Sequence, residues 1–161
     1  MDRGEIVTAF KEVLNELKIA YKVDAATRPG AIVITFGMKC DGGIGRVWGL
    51  FEFRGTSMRL YGVAPDRAEA KNLPELFKLL AMVNHDMVEG CFEYETTSRQ
   101  IRFRYFADCT GYTTMPWDFV FGTLMLPFEM FSRYGDSFAA LDEGFPDAAL
   151  AFGRVRQDDE D

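Results

Sequence analysis

Apolar and polar positions follow two different periods along this chain, and the periods mark its elements. Over residues 3–18, Ile6, Val7, Phe10, Val13, Leu14 and Leu17 recur three and four apart. Glu5, Lys11, Glu12, Glu16 and Lys18 fall mainly between them, which predicts an amphipathic helix. Residues 20–25 read as a short extended piece, and Arg28-Pro29-Gly30 as a turn. The period then drops to two. Residues 31–39, 46–54 and 57–63 are rich in β-branched and aromatic side chains and predict three strands.

The strand registers can be tested from the pattern alone. Gly55-Thr56 suits a two-residue type II′ turn, with glycine first. Pairing Arg54 with Ser57 sets Phe53 opposite Met58, Glu52 opposite Arg59 and Phe51 opposite Leu60. Apolar meets apolar and acid meets base, as a correct register requires. Closing the preceding loop at Lys39 and Arg46 sets Met38 opposite Val47 and Ile34 opposite Phe51. One face then carries Ile32, Ile34, Phe36, Met38 and their partners, and helices must cover it. The other face carries Val33, Trp48, Leu50, Tyr61 and Val63 among Thr35, Glu52, Arg54 and Arg59. Three readings of that half-apolar face stay open: another part of the chain covers it, it is a protein interface, or its apolar residues are scattered exposed ones.

Residues 65–89 predict a second helix after a Pro65-Asp66 turn, with Asn72 as cap and Pro74 and Glu75 in a first turn. Leu76, Leu79, Leu80, Val83, Met87 and Val88 form its stripe, and Gly90 ends it. A second hairpin follows over 91–95 and 100–105, pairing Phe92 with Phe103, Tyr94 with Ile101 and Glu93 with Arg102. The stretch from Met115 to about Leu150 reads as mainly helical. Thr114 can cap it, Pro127 should kink or break it, and Arg133-Tyr134-Gly135-Asp136 and Glu143-Gly144-Phe145-Pro146 are further breaks. The expected order is αβββαββα: an α+β fold, its antiparallel sheet covered by helices on one face.

Length and charge narrow the function classes. At 161 residues the chain suits one domain, over residues 1–153, that can bury a core without disulfides or metal. The aromatic share of 14% excludes a disordered chain. No apolar run is long enough to span a membrane, and the N-terminus is amphipathic rather than a signal peptide. Three cysteines without framework spacing point to reduced thiols in a cytosol. The net charge of −7 is uneven: residues 1–106 carry 15 basic and 14 acidic side chains, residues 107–161 carry 3 and 11. Residues 154–161 read as an acidic, disordered, solubilising tail ending in Asp158, Asp159, Glu160 and Asp161. The balance disfavours nucleic acid, although a small basic patch is compatible with it.

The residue types that carry chemistry do not form a catalytic pattern. Gly43-x-Gly45 lies between two strands, with no helix N-terminus to hold a phosphate. His85 and Glu89 stand one turn apart, with Asp86, Cys91 and Cys109 as possible extras, but there is no second histidine. Cys40, Cys91 and Cys109 lack C-x-x-C spacing, and nothing pairs one with His85. No catalytic residue, cofactor or metal is therefore assigned. Met115, Met125 and Met130 can line an adaptable groove or pack a core, and Trp117 can anchor an interface or pack.

The stretch from Val83-Asn84-His85-Asp86 through Gly90-Cys91-Phe92-Glu93-Tyr94 resembles the helix-then-strand passage of the YbjN family. Ile101-Arg102-Phe103-Arg104 is similar to its returning strand, and a final helix closed by Gly144 fits as well. The likeness spans about residues 3–145. The family is described as a bacterial sensory transduction regulator, with a fold like class I type III secretion chaperones, α+β sandwiches that often dimerise. The resemblance implies a non-enzymatic cytoplasmic protein that binds another protein, as a homodimer. The expected contact surface is Trp48, Leu50, Tyr61 and Val63, with Met125 and Met130 second. The rivals are a small-molecule sensor or cryptic enzyme, with a cavity between sheet and helices, and a structural or assembly subunit without a client.

Overall fold

In the computed structural model, which describes residues 1–156, the two predicted hairpins join into one antiparallel sheet. The elements are α1 (Arg3–Glu16), β1 (Lys22–Asp24), β2 (Ile32–Lys39), β3 (Arg46–Arg54), β4 (Ser57–Arg67), α2 (Leu73–Asp86), β5 (Cys91–Glu95), β6 (Gln100–Asp108), α3 (Trp117–Asp142) and α4 (Ala148–Phe152). A single 3-10 turn, Ala70–Asn72, precedes α2. The six strands lie in the order β1-β2-β3-β4-β6-β5. The fold is thus α+β, but the order departs from αβββαββα at two points. The extended piece near residue 22 is a true edge strand, and the C-terminal region is two helices.

Local chemistry accounts for the elements that match. Asp2 and Glu5 form a reciprocal capping box on α1, and Ile6, Val7, Phe10, Val13 and Leu14 are its buried stripe. All three tested registers hold. Arg54 pairs with Ser57, Lys39 with Arg46, and Phe92 with Phe103. Gly55 has a φ of 54° while Thr56 keeps a negative one, the signature of the II′ turn.

Tertiary packing overrules the pattern elsewhere. β4 runs on through Pro65 to Arg67, with an irregularity between Val63 and Arg67, so α2 begins at Leu73 rather than at 65. Asn72 holds the N-cap position without capping, because its amide donates to Leu141 O and Asp142 Oδ1. The helix ends at Asp86. Met87 is half-buried and Val88 is 98% exposed, so Val88 leaves the predicted stripe. Gly90 instead makes the positive-φ turn into β5. The Asn84 side chain both donates to Phe92 O and accepts from Phe92 N–H, tying α2 to the outer edge of that strand.

α3 crosses two of the three expected breaks, at Pro127 and at Arg133-Tyr134-Gly135-Asp136, without interruption. Pro127 lies inside it, buried, where it sits on Gly62 of β4; a Cβ on Gly62 would lie 2.7 Å from that of Pro127. Gly49 faces Gly62 across β3 and β4, and together they form a notch in the sheet beneath Pro127, Phe128 and Phe131. Gly135 is helical because it admits Ile44 of the β2–β3 loop, 3.0 Å from where its Cβ would stand. Ser132 and Asp136 fix the same loop by accepting from the N–H groups of Asp41 and Gly43. Pro116, not Thr114, holds the N-cap of α3, and the break at Gly144 before α4 is present.

The core lies between the helices and one sheet face, around Phe10, Phe36, Phe51, Phe53, Phe103 and Phe131. Arg154, Val155 and Arg156 turn back onto α3, where Arg156 N–H donates to Arg133 O. The rest of the predicted tail, residues 157–161, lies outside the described residues. Among the described residues no helix is long and apolar enough to cross a membrane.

Candidate functional site

The second sheet face is bare of helices, since α1, α2 and α3 pack on the strands from the core side. The reading that another part of the chain covers that face is therefore corrected around Trp48, which is 44% exposed. The β1–β2 loop reaches the edge of the face, where Arg28 pairs with Glu52 and Pro29 O accepts from Arg54.

Strand pairing places the predicted residues side by side. Trp48 stands opposite Val63, and Leu50 opposite Tyr61, so the four make one block across β3 and β4. Trp48 is 44% exposed; Leu50, Tyr61 and Val63 are half-buried. The Trp48 ring lies against Gly37 of β2, where a Cβ would come within 2.9 Å of it. The Arg46 guanidinium covers the ring at 5.3 Å from its centroid and donates to Gly37 O at 2.9 Å. Arg102 lies over the Tyr61 ring at 4.9 Å.

Charge surrounds this block in a fixed pattern. Glu52 is almost fully buried and accepts from Arg28 on one oxygen and Arg54 on the other. Burial pushes its carboxyl up, but the two guanidinium groups outweigh that and hold it below the usual carboxylate range. Glu93 is shared in the same way between Arg102 and Arg104. Arg59 and Arg46 have no carboxylate partner among the described residues. Phe106 lies opposite Arg59 on β6 and is 56% exposed. Arg59, Tyr61, Cys91, Arg104 and Phe106 line an open groove of about 600 Å³ beside the block.

Phe106, Arg46, Arg102 and Arg104 were not among the expected contact residues. Arg102, Arg104 and Phe106 join the site because β6 pairs with β4, across the intervening α2 and β5, and Arg46 joins it at the start of β3, over Trp48. The alternation Arg102, Arg104, Phe106 was the available signal.

The other expected residues do not join this surface. Met125 and Met130 are half-buried on α3, on the opposite side of the sheet, and five residues apart they point in different directions around the helix. Met130 lines a small pocket with Met87, Val88 and Leu126. Trp117 stacks on Phe121 and donates to Glu16.

His85 is exposed at the end of α2, and among the described residues no three His, Cys, Asp or Glu side chains gather to hold a metal. Cys40 and Cys109 are buried, which pushes both thiols up. A half-open cleft of about 410 Å³ lies at one end of the sheet, between Ile44, Ala64, Phe131 and Phe138, with Glu69, Asp142 and Glu143 at its rim.

No protein-family model, curated protein or solved structure matches this chain.

Proposed function

We propose that this chain is a non-enzymatic protein-binding module, a regulator or chaperone-like protein of the bacterial cytosol. It works as a homodimer and holds its partner on the uncovered sheet face. The observation that supports the reading is the block of Trp48, Leu50, Tyr61 and Val63, with Phe106 beside it, on a face without helices. Aromatic side chains inside a rim of arginine are the composition of protein contact sites. The homodimer and the regulatory role rest on the YbjN resemblance. Val88, fully exposed beside Met130, offers two copies a contact away from the sheet.

Sedimentation velocity and affinity capture test the reading together. The wild-type protein sediments as a dimer, and Trp48→Glu loses bound partner proteins that Leu150→Ser, an exposed change on α4, retains. A strict monomer at all concentrations removes the homodimer. Equal capture by both variants removes the sheet face as the site.

The small-molecule reading has one observation in its favour, the cleft near Phe131 and Phe138. Two of its three carboxylates are already engaged: Glu69 pairs with Lys71, and Asp142 accepts from Asn72. The sheet face carries more exposed aromatic surface, and is the better supported site.

A further inference from the structure

We infer that the occupant of the sheet face is a segment of a partner protein with acidic side chains on both sides of apolar ones. The inference rests on the protein-binding reading above and names the chemistry of that partner. Six arginines ring the apolar block (Arg28, Arg46, Arg54, Arg59, Arg102 and Arg104), on a chain whose net charge is −7. Four of them share the two carboxylates of Glu52 and Glu93. Among the described residues Arg46 and Arg59 have no ion pair, Arg59 because the Glu52 opposite it on β3 is held by Arg28 and Arg54, and they stand at opposite ends of the block. Arg46 lies over Trp48, while Arg59 lies two residues beyond Tyr61 on β4 and opposite Phe106. From Val63, opposite Trp48, to Arg59 is four residues of strand, about 13 Å, which an extended segment spans in about four residues.

A guanidinium has five N–H donors, so Arg46, which spends one on Gly37 O and lies over Trp48, keeps others for a carboxylate. Carboxylates of the partner then meet Arg46 at one end of the block and Arg59 at the other. Its apolar side chains lie on Leu50, Val63 and Phe106.

The same geometry weighs against two other occupants. Single-stranded nucleic acid needs open ring faces on which bases stack. Here Arg46 lies over Trp48, whose ring lies against Gly37, and Arg102 lies over Tyr61, which leaves Phe106 as an isolated open ring where a strand of bases needs successive ones. A second copy docked face to face brings two sets of six arginines together, and like charges in an interface are costly.

Trp117→Phe leaves Trp48 as the single tryptophan and is the protein for the test. The probes are a fluorescein-labelled peptide with two acidic residues on each side of a Leu-Phe-Leu core, its amide counterpart (Asn and Gln), and a labelled oligo-dT strand. Anisotropy and Trp48 emission are read together. The acidic peptide binds and shifts Trp48 emission, and its amide counterpart binds at least tenfold more weakly. Raising salt from about 50 to about 500 mM, which shortens the screening length several-fold, weakens the acidic complex. Arg59→Glu and Arg46→Glu each weaken it severalfold, and the milder Arg59→Gln does so with an unchanged circular dichroism spectrum.

Equal binding of the amide peptide, with both complexes lost in Trp48→Glu, overturns the acidic partner and leaves the protein-binding face standing. Tighter binding of oligo-dT than of the acidic peptide overturns both. No binding of the acidic peptide overturns the inference.

Discussion

Glu52 shows at one residue how a buried charge sits on an otherwise open sheet. It stands on the solvent side of β3, yet only 4% of it is exposed, because Arg28 arches over from the loop and Arg54 folds back from two residues on. Both arginines remain about half exposed, so solvent screens the pair and its net worth is modest. Its folded carboxyl lies below its unfolded value of about 4.3, so its contribution is complete above that value and lost as pH falls through the lower folded one. Glu52→Gln should therefore cost about 1 kcal/mol near neutral pH. Wild type and variant should converge as the pH falls below about 4. Urea unfolding at the two pH values measures both. A gap that stays constant into acid would show that the lost interaction is packing rather than charge.

At the scale of elements, α3 and the strands beneath it are specified by glycines that sequence pattern reads as weak points. Gly49 and Gly62 remove two side chains where β3 and β4 meet the helix, and Pro127 fills the space. A methyl group at Gly62 meets a rigid ring at 2.7 Å, so neither partner can rotate away. Gly62→Ala should cost about 1–3 kcal/mol, the usual range for overpacking a core. The same change at Gly37 meets the ends of the Trp48 and Arg46 side chains on the open face, which can move, and should cost less. Urea midpoints with unchanged slopes check the pair. These positions also mark what was legible in the sequence. Registers within each hairpin were readable, because alternation and turn chemistry are local. The continuity of α3 through Pro127 and Gly135 was not, because both residues are placed by partners far away in the chain, Gly62 and Ile44. The apolar half of the candidate site came from the β3–β4 hairpin and was readable for the same local reason. The β6 half, with Arg102, Arg104 and Phe106, depends on a non-local strand pairing that no turn announces.

At the scale of the whole molecule, one sheet separates two environments. The helices cover one face, and antiparallel sheets tolerate water on the other. The acidic excess belongs to the last third of the chain, while arginines gather on the open strands. The three thiols sample both sides of this division. Cys40 and Cys109 are buried, and burial pushes their thiols up, so little thiolate forms and no reagent reaches it. Cys91 is half-buried on β5, beside Arg104, in the groove next to Tyr61 and Phe106. An aromatic disulfide reagent at about pH 8 should react with one thiol promptly in the native protein and three in denaturant. The two slow thiols react only when the layers open, so their rate should fall with added stability and rise in Gly62→Ala. The fast one answers to the face alone. A ligand on the arginine-rimmed groove should slow Cys91 without changing the other two, whereas a ligand in the cleft at Phe131 and Phe138 should leave Cys91 as it was. Three prompt thiols in the native protein would mean that the core side of the sheet is not closed, and the division of the molecule into a packed face and a working face would fall with it.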